Sequence, residues 1–414
     1  MSHFRIVESV DENSNQVGSG PNNTDFQGLY LVIEQPDGRL LDEHDQPDGN
    51  LYKMEGGTGE LNNQGPTQAD DKSDLNAFLQ YKSGNKTAQW WKDNFDLDDY
   101  YNFRAITTAI RHYDIGAGKN YFFYNNPETG KWQPMSWDLD ITWQNPTNTS
   151  QGGPFSSHVL AIPEFAQDYR NRMREIRDLM FNSEQVGIML DETANFIDTP
   201  GVNSIAEADG VKWRGNGTNA GTFPGKVAYM NQYVIDRNAM IDTSVLTDSS
   251  SVPYQPTLSY TGSGTYPVNG LDFSTGVFSS PASENFAAMQ WRIAEITDTS
   301  APGFDPDVPR KYEINADWQS EELTTFANTI TIPGDQLDVG DVYRVRVRMK
   351  DTAGLWSHWS DAHEFTAGTA VGPQIVGLRI SEVMYNPADP TAAEAAAGFV
   401  DNDDFEFIAL RNIS

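Results

Sequence analysis

The chain has 414 residues, with 59 Asp and Glu against 28 Lys and Arg, no Cys, 38% hydrophobic and 12% aromatic content. That is ample for packed cores, suggests two to three domains and marks a globular chain rather than a disordered one. A formal net charge of −31 repels phosphate backbones and anionic lipid, which argues against nucleic-acid or membrane-surface binding and favours divalent cations or cationic polymers as partners; without cysteine there is no disulfide framework, thiolate metal site or cysteine nucleophile.

No stretch approaches the roughly 18 to 20 apolar residues that a membrane helix needs. Residues 1–15 have neither the basic start nor the apolar core of a signal peptide. Both ends read as cut: the first ordered-looking segment is already a strand, and residues 405–410 read as a strand with nothing after it to pair with.

Residues 28–34 (GLYLVIE) are apolar and β-branched, with the turn Pro36-Asp37-Gly38 behind them, and read as a buried strand. Residues 50–55 (NLYKME) read as a second short strand, and 56–71 are polar and flexible in composition. Residues 74–81 are a candidate helix. Residues 98–112 (DDYYNFRAITTAIRH) open with the acids that suit a helix N-terminus and carry Tyr101, Ala105, Thr108 and His112 on one face. An aromatic strand at 120–125 (NYFFYN), the turn PETG and a return strand at 131–141 (KWQPMSWDLDI) make a hairpin. Phe165, Tyr169, Met173, Ile176 and Met180 recur at helical spacing, a further helix follows a cap at Asn182 or Ser183, and a third covers 226–240.

A Ser/Pro-rich linker at 246–256 separates this α+β unit (1–245) from an all-β one (257–367), where strands at 290–293, 312–316, 329–332, 342–349 and 363–366 have sandwich-like spacing. A second linker (368–376) precedes 377–414, a piece too short to bury a core alone.

Chemistry concentrates in the first unit. Carboxylates two apart on a strand share a face, so Asp138 and Asp140 could hold one hard divalent cation, with Asn120 on the paired strand supplying a carbonyl oxygen. In so acidic a chain the plain alternative is a pair of solvated strand carboxylates. The bracketing Trp137, Ile141 and Trp143 favour an apolar, partly buried setting, where unpaired charge is costly. Asp114 on a loop, Asn120 farther on and an Asp after the hairpin give the order of parts in kinase-type phosphoryl transfer: base, metal ligand, metal ligand.

The segment LDDYYNFRAITTAIRHYDIGAGKNYFFYNNPETGKWQPMSWDLDITW, with the upstream GLYLVIEQ and GNLYK, resembles the CotH-type atypical protein kinases, and the resemblance spans roughly residues 27–242. It implies a reduced protein-kinase-like fold and an ATP-dependent, Mg²⁺- or Mn²⁺-dependent Ser/Thr protein kinase. In it Asp114 matches the catalytic-loop aspartate, Asn120 the asparagine after it, and Asp138 and Asp140 the tryptophan-flanked metal-binding pair. Glu34 and Lys53 match positions on the nucleotide side, with surface strand ends as the plain alternative. Two departures stand out. Asp114 to Asn120 is one residue longer than the spacing of ordinary protein kinases, and the 27 residues before the GLYLVIE strand hold no Lys and a single Arg, Arg5, where a basic N-terminal lobe is expected.

In the β unit, Arg344, Arg346 and Arg348 alternate onto one strand face and WSHWS (356–360) follows a turn. This is similar to the WSxWS ladder of fibronectin type III domains in cytokine receptors, and it reads as a surface ladder that stiffens a sandwich edge. Residues 377–414, with ISEVMYNP and EFIAL, resemble the opening strands of a lamin-tail-type domain. The expectation is thus an α+β chain, an internal piece of a long exported bacterial protein, extracellular or at the cell surface, that phosphorylates protein hydroxyls. A non-catalytic adhesion or scaffold protein with a degenerate kinase-like domain is the alternative, and a metal-dependent transferase using the Asp pair on another nucleotide is a third reading.

Overall fold

The structure is a computed structural model that describes residues 2–5, 26–149, 155–198, 204–213, 222–262, 264–301, 304–371 and 378–412. The expectation for residues 1–15 falls outside these apart from 2–5, and the linker at 368–376 does so from 372 on.

The first unit combines helices with an antiparallel sheet. Strand β1 (Ser2–Arg5) pairs with β2 (Phe26–Tyr30), and helix α1 (Gly38–Glu43) comes next. Strands β3 (Asn50–Glu55), β4 (Thr58–Asn63), β5 (Tyr121–Asn125) and β6 (Trp132–Ser136) form one sheet in the order β4-β3-β5-β6. Between β4 and β5 run α2 (Ser73–Phe78), continued by a 3₁₀ turn at Leu79–Ser83, then α3 (Ala88–Asn94) and α4 (Leu97–Ala109). The helical half consists of α5 (Pro163–Leu179), α6 (Ser183–Ile197), α7 (Ile205–Trp213) and α8 (Phe223–Ser244). Among the described residues no helix is long and apolar enough to cross a membrane.

Strand β5 is buried on both faces, which explains its unbroken aromatic run. Tyr121 and Phe123 join Tyr52, Met54 and Trp132 in the main core, which the faces of α4, α5 and α8 complete. Phe122 and Tyr124 point the other way, onto Leu51 and Leu41. Helix α4 is capped by Asp96, whose carboxylate accepts the Asp99 N–H at 3.1 Å. The face expected from spacing, Tyr101, Ala105, Thr108 and His112, is buried. Asn182, not Ser183, caps α6, accepting from the amides of Glu184 and Gln185.

In the first unit the structure departs from expectation at residues 28–34, 58–63 and 131–141. The strand expected at 28–34 ends at Tyr30, because pairing with β1 stops there and no described residue covers the next three side chains: Leu31, Val32 and Ile33 are 65%, 69% and 57% exposed. Residues 58–63, expected to be a flexible stretch, form β4, since pairing with β3 satisfies the backbone while mostly polar side chains face water. The return strand stops at Ser136, and Asp138 takes a left-handed φ of 55°, so Asp138 and Asp140 lie in an exposed turn and do not share a strand face.

The second unit has two antiparallel sheets around one core. The first takes β9 (Phe286–Ile296), β10 (Trp318–Gln319), β12 (Val342–Asp351) and β13 (His363–Thr366) in the order β10-β9-β12-β13. The second takes β7 (Leu258–Tyr260), β8 (Asp272–Thr275) and β11 (Thr329–Thr331) in the order β11-β8-β7. Residues 312–316, expected to be a strand, form a turn in which the Asn315 N–H meets the Tyr312 carbonyl at 3.0 Å and Glu313 is driven inward to full burial. Strand β15 (Phe407–Asn412) pairs back onto the preceding β14 (Leu378–Met384), with α9 (Ala392–Ala396) between them.

Candidate functional site

The candidate site is built where α4 ends. Arg111 adopts φ 51° and turns the chain out of the helix, and the His112 amide closes the turn on the Thr107 carbonyl at 2.8 Å. Tyr113–Gly118 then form a 3₁₀ turn that carries Asp114. Gly118 at φ 75° accepts the Gly57 amide on its carbonyl at 3.0 Å. A Cβ at position 118 would come within 2.6 Å of the Gly57 Cα, so this approach of the β3–β4 hairpin to the turn requires glycine.

Asn120 sits at φ 66°, a region asparagine tolerates better than most residues. Its side-chain amide donates to the Asp114 carbonyl at 3.1 Å and to the Asp114 carboxylate at 2.9 Å. With the nitrogen so engaged, the amide oxygen is left as an acceptor for a cation. Lys119 Nζ lies 3.0 Å from the same carboxylate. The hydrogen bond from Lys119 is the main cause that holds the Asp114 carboxyl below its ordinary range, with the Lys119 charge and Asn120 assisting against some desolvation. Lys119 is raised in turn by Asp114, and the charges of Glu55 and Asp138 add to the effect, so both acids lie within its field.

The Trp137 peptide is held on both sides. Its N–H donates to the Asn120 carbonyl at 3.2 Å, and its carbonyl lies 3.1 Å from His112 Nε2. A carbonyl only accepts, so Nε2 carries the proton. His112 is buried, as its place on the helix face implied, yet it also straps the turn before Asp138 to the end of α4. Trp143 continues the anchoring: its N–H meets the Ile110 carbonyl at 2.8 Å and its ring packs on Tyr233 at 5.2 Å.

Asp114, Asn120 and the residue before Asp138 are therefore joined by direct contacts. Asp138 and Asp140 are exposed instead of lying in the apolar setting their tryptophan neighbours suggested, because the tryptophans turn inward and the left-handed step at Asp138 turns the acids outward. Lys53 lies opposite Phe122 and pairs with Glu55 at 3.4 Å, on the side of the hairpin whose Glu55 acts on Lys119. Glu34 pairs with His44 at 3.3 Å, a contact that leads to the end of α1 and not to Asp114. Lys119 escaped the sequence reading, although its place immediately before Asn120 was a usable signal.

Among the described residues no group of three or more His, Cys, Asp or Glu is placed to hold a metal ion. Mg²⁺ takes one or two carboxylates and completes its shell with water and substrate phosphates. Asn120 and the exposed Asp138 and Asp140 carry oxygen donors of the kind that Mg²⁺ takes.

A family model described as CotH kinase protein matches residues 19–241. No curated protein is matched by the chain. Among solved structures, an α-L-rhamnosidase from Dictyoglumus thermophilum aligns at 19% identity with a TM-score of 0.21, over 34% of this chain and 16% of that one, a likeness too slight to carry any argument.

Proposed function

The chain belongs to the CotH kinase protein family, whose model covers residues 19–241 of its 414, and from that premise we propose that it transfers the γ-phosphoryl group of ATP to a protein Ser or Thr hydroxyl. The observation that carries this reading is the contact of the Asn120 amide with Asp114, 2.9 Å to its carboxylate, on a turn held against the peptide before Asp138 by His112. That order of parts, base then amide ligand then acid ligand, matches phosphoryl transfer by positioning.

In this reading Asp114 accepts the hydroxyl proton as the hydroxyl oxygen attacks the γ-phosphorus and the bond to the departing ADP oxygen breaks. A carboxylate held low by Lys119 is a weak base, so its work is to orient the hydroxyl and take the proton late. Lys119 supplies the cation on the phosphate side. Asn120, Asp138 and Asp140 would hold Mg²⁺ or Mn²⁺, which when bound would supply positive charge for the phosphate oxygens. Lys53 serves the nucleotide side through its place beside Glu55. Glu34, tied to His44, joins it there only if α1 shifts.

The same proposal takes residues 257–367 as a fibronectin type III-like module and 377–414 as a lamin-tail-like one, in a protein exported to the cell surface. The two-sheet arrangement around a single core supports the first of these readings.

Transfer of label from γ-labelled ATP to the chain or to a generic basic protein, with Mg²⁺ or Mn²⁺, tests the function. Label that depends on metal and is lost in Asp114→Ala supports it. Equal label from wild type and Asp114→Ala would leave the adhesion or scaffold role as the better reading.

A further inference from the structure

The WSHWS motif is not on a surface. Arg348 stacks 4.3 Å from the Trp356 ring and 4.5 Å from Trp359, and Arg292, across the ladder from Arg346, lies 5.7 Å from Trp359. Trp356 and Trp359 are 6% and 1% exposed. The surface ladder expected from sequence is therefore covered, and its cover is the helical half of the first unit.

Helix α5 meets the backbone of the motif residue by residue. Asp178 accepts the Trp359 N–H at 2.9 Å and contacts His358 Nδ1 at 2.8 Å. Asn171 accepts the Trp356 N–H at 3.1 Å, and Arg174 donates to the Trp356 carbonyl at 3.0 Å. Glu175 lies 3.5 Å from Arg348; burial pushes its carboxyl up, but the charges of Arg348 and Arg172 hold it below the usual range. Helix α6 extends the seam. Its Glu184 receives Arg344, and Gln185 accepts the N–H of the buried Glu313 at 2.9 Å. Glu313 is itself paired with Arg344 and Arg346. The connecting segment is pinned as well: Arg170 and Arg174 hold Asp248 at 2.8 and 2.7 Å.

Units joined by a linker move relative to one another unless their interface is extensive. Here acids on two helices meet a face of arginines and tryptophans, and the motif's own amides have helix side chains where water would otherwise be. We propose that the tryptophan–arginine stack is an intramolecular docking surface whose partner is the acidic face of α5 and α6, so that both units fold and unfold as one body. The helices thereby occupy the stack along the backbone of the motif, and the sandwich braces α5, the helix against which α4 packs.

Hydrogen exchange of the full chain, followed by mass spectrometry through a urea series, tests this. In the wild type, peptides of α5 and of β9 and β12 are expected to lose protection at one common urea midpoint. In Asp178→Ala combined with Glu184→Ala, the midpoints should separate while each unit keeps its native protection without urea. Glu322→Gln, which gives up an exposed pair with Lys350 and no hydrogen bond to α5 or α6 among the described residues, should leave a single midpoint. Two midpoints in the wild type would overturn the proposal without recourse to any variant, and so would a common midpoint retained in the double variant.

Discussion

His112 Nε2 lies 3.1 Å from the Trp137 carbonyl, so the residue that leads out of α4 and the residue before Asp138 are held together across 25 positions of sequence. Two jobs fall on one side chain. The ring fills the core beneath the turn, and its N–H fixes where the Asp138 segment leaves the hairpin.

His112→Phe keeps the volume and removes the donor. Leaving the Trp137 carbonyl unpaired should lower stability in urea by about 1–2 kcal/mol. A displaced Asp138 should also cut label transfer about 10-fold to 100-fold, since misplacement of reacting groups by about 1 Å has costs of that order. Equal transfer by His112→Phe and wild type, at matched folded fraction, would show that the strap is only structural.

Asp114→Asn and Lys119→Met separate base from cation. The first should reduce label transfer by about 10²–10⁴-fold, the usual worth of a positioned proton acceptor. The second should reduce it by about 10²–10³-fold, through under-compensated charge in the transition state. Asp138→Ala should weaken Mn²⁺-nucleotide binding, measured by calorimetry, more than Asp114→Asn does.

The Asp114 and Lys119 pair has a defined pH window. Asp114 is held below its ordinary 3.8, so its stabilising contribution is fully present above that value and is lost as pH falls through the depressed folded value. Lys119 is held above 10.5, so its contribution is present below that value and is lost as pH rises through the raised one. The difference in melting temperature between wild type and Lys119→Met should therefore be flat from about pH 5 to 9 and shrink on both sides of that range. A difference that peaks sharply near neutrality would point to another group.

Asp99 behaves in the opposite sense. It borders a recess of about 390 Å³ lined by Leu40, Leu41, Tyr124 and Met135. Burial, with the nearby Asp96 charge adding to it, pushes its carboxyl up to about 6. A raised carboxyl pKa means that ionisation destabilises the fold, with the penalty developing as pH climbs from about 4 to 6. Asp99→Asn should accordingly be more stable than wild type by about 1 kcal/mol at pH 7, after allowance for partial solvation and the lost charge at the helix N-terminus. The two should converge at about pH 3.5, below both the folded and the unfolded value. Urea titrations at both pH values check the sign.

Arg237 of α8 donates to the Thr108 carbonyl at 2.6 and 3.0 Å, to Pro146 at 3.0 Å and to Asn148 at 2.8 Å. It thereby closes the C-terminal end of α4 onto the chain beyond Trp143. Arg237→Met leaves these carbonyls unanswered in the interior and should cost about 2–4 kcal/mol. Thermal unfolding reads this directly.

Much of the local order was legible in the sequence because it arises from contacts close along the chain. The period of Tyr101, Ala105, Thr108 and His112 marks a helix face whatever lies beyond it, and the aromatic run at 121–125 with its PETG turn marks a hairpin whose register is set by the turn. Asp114 and Asn120 were singled out by their order along the chain, but their direct hydrogen bond was not read from it. The features that only the tertiary structure decided depend on partners far along the chain. The turn at Asp138 is left-handed because Asn120 and His112 hold the Trp137 peptide between them. The WSHWS tryptophans are buried because Asp178 and Arg174, some 180 positions earlier, meet their backbone. The run at 31–33 is exposed because no described strand extends to cover it. An alternating pattern states that one face of a segment wants burial, but the identity of the burying surface is a sum over distant contacts, which no local period encodes.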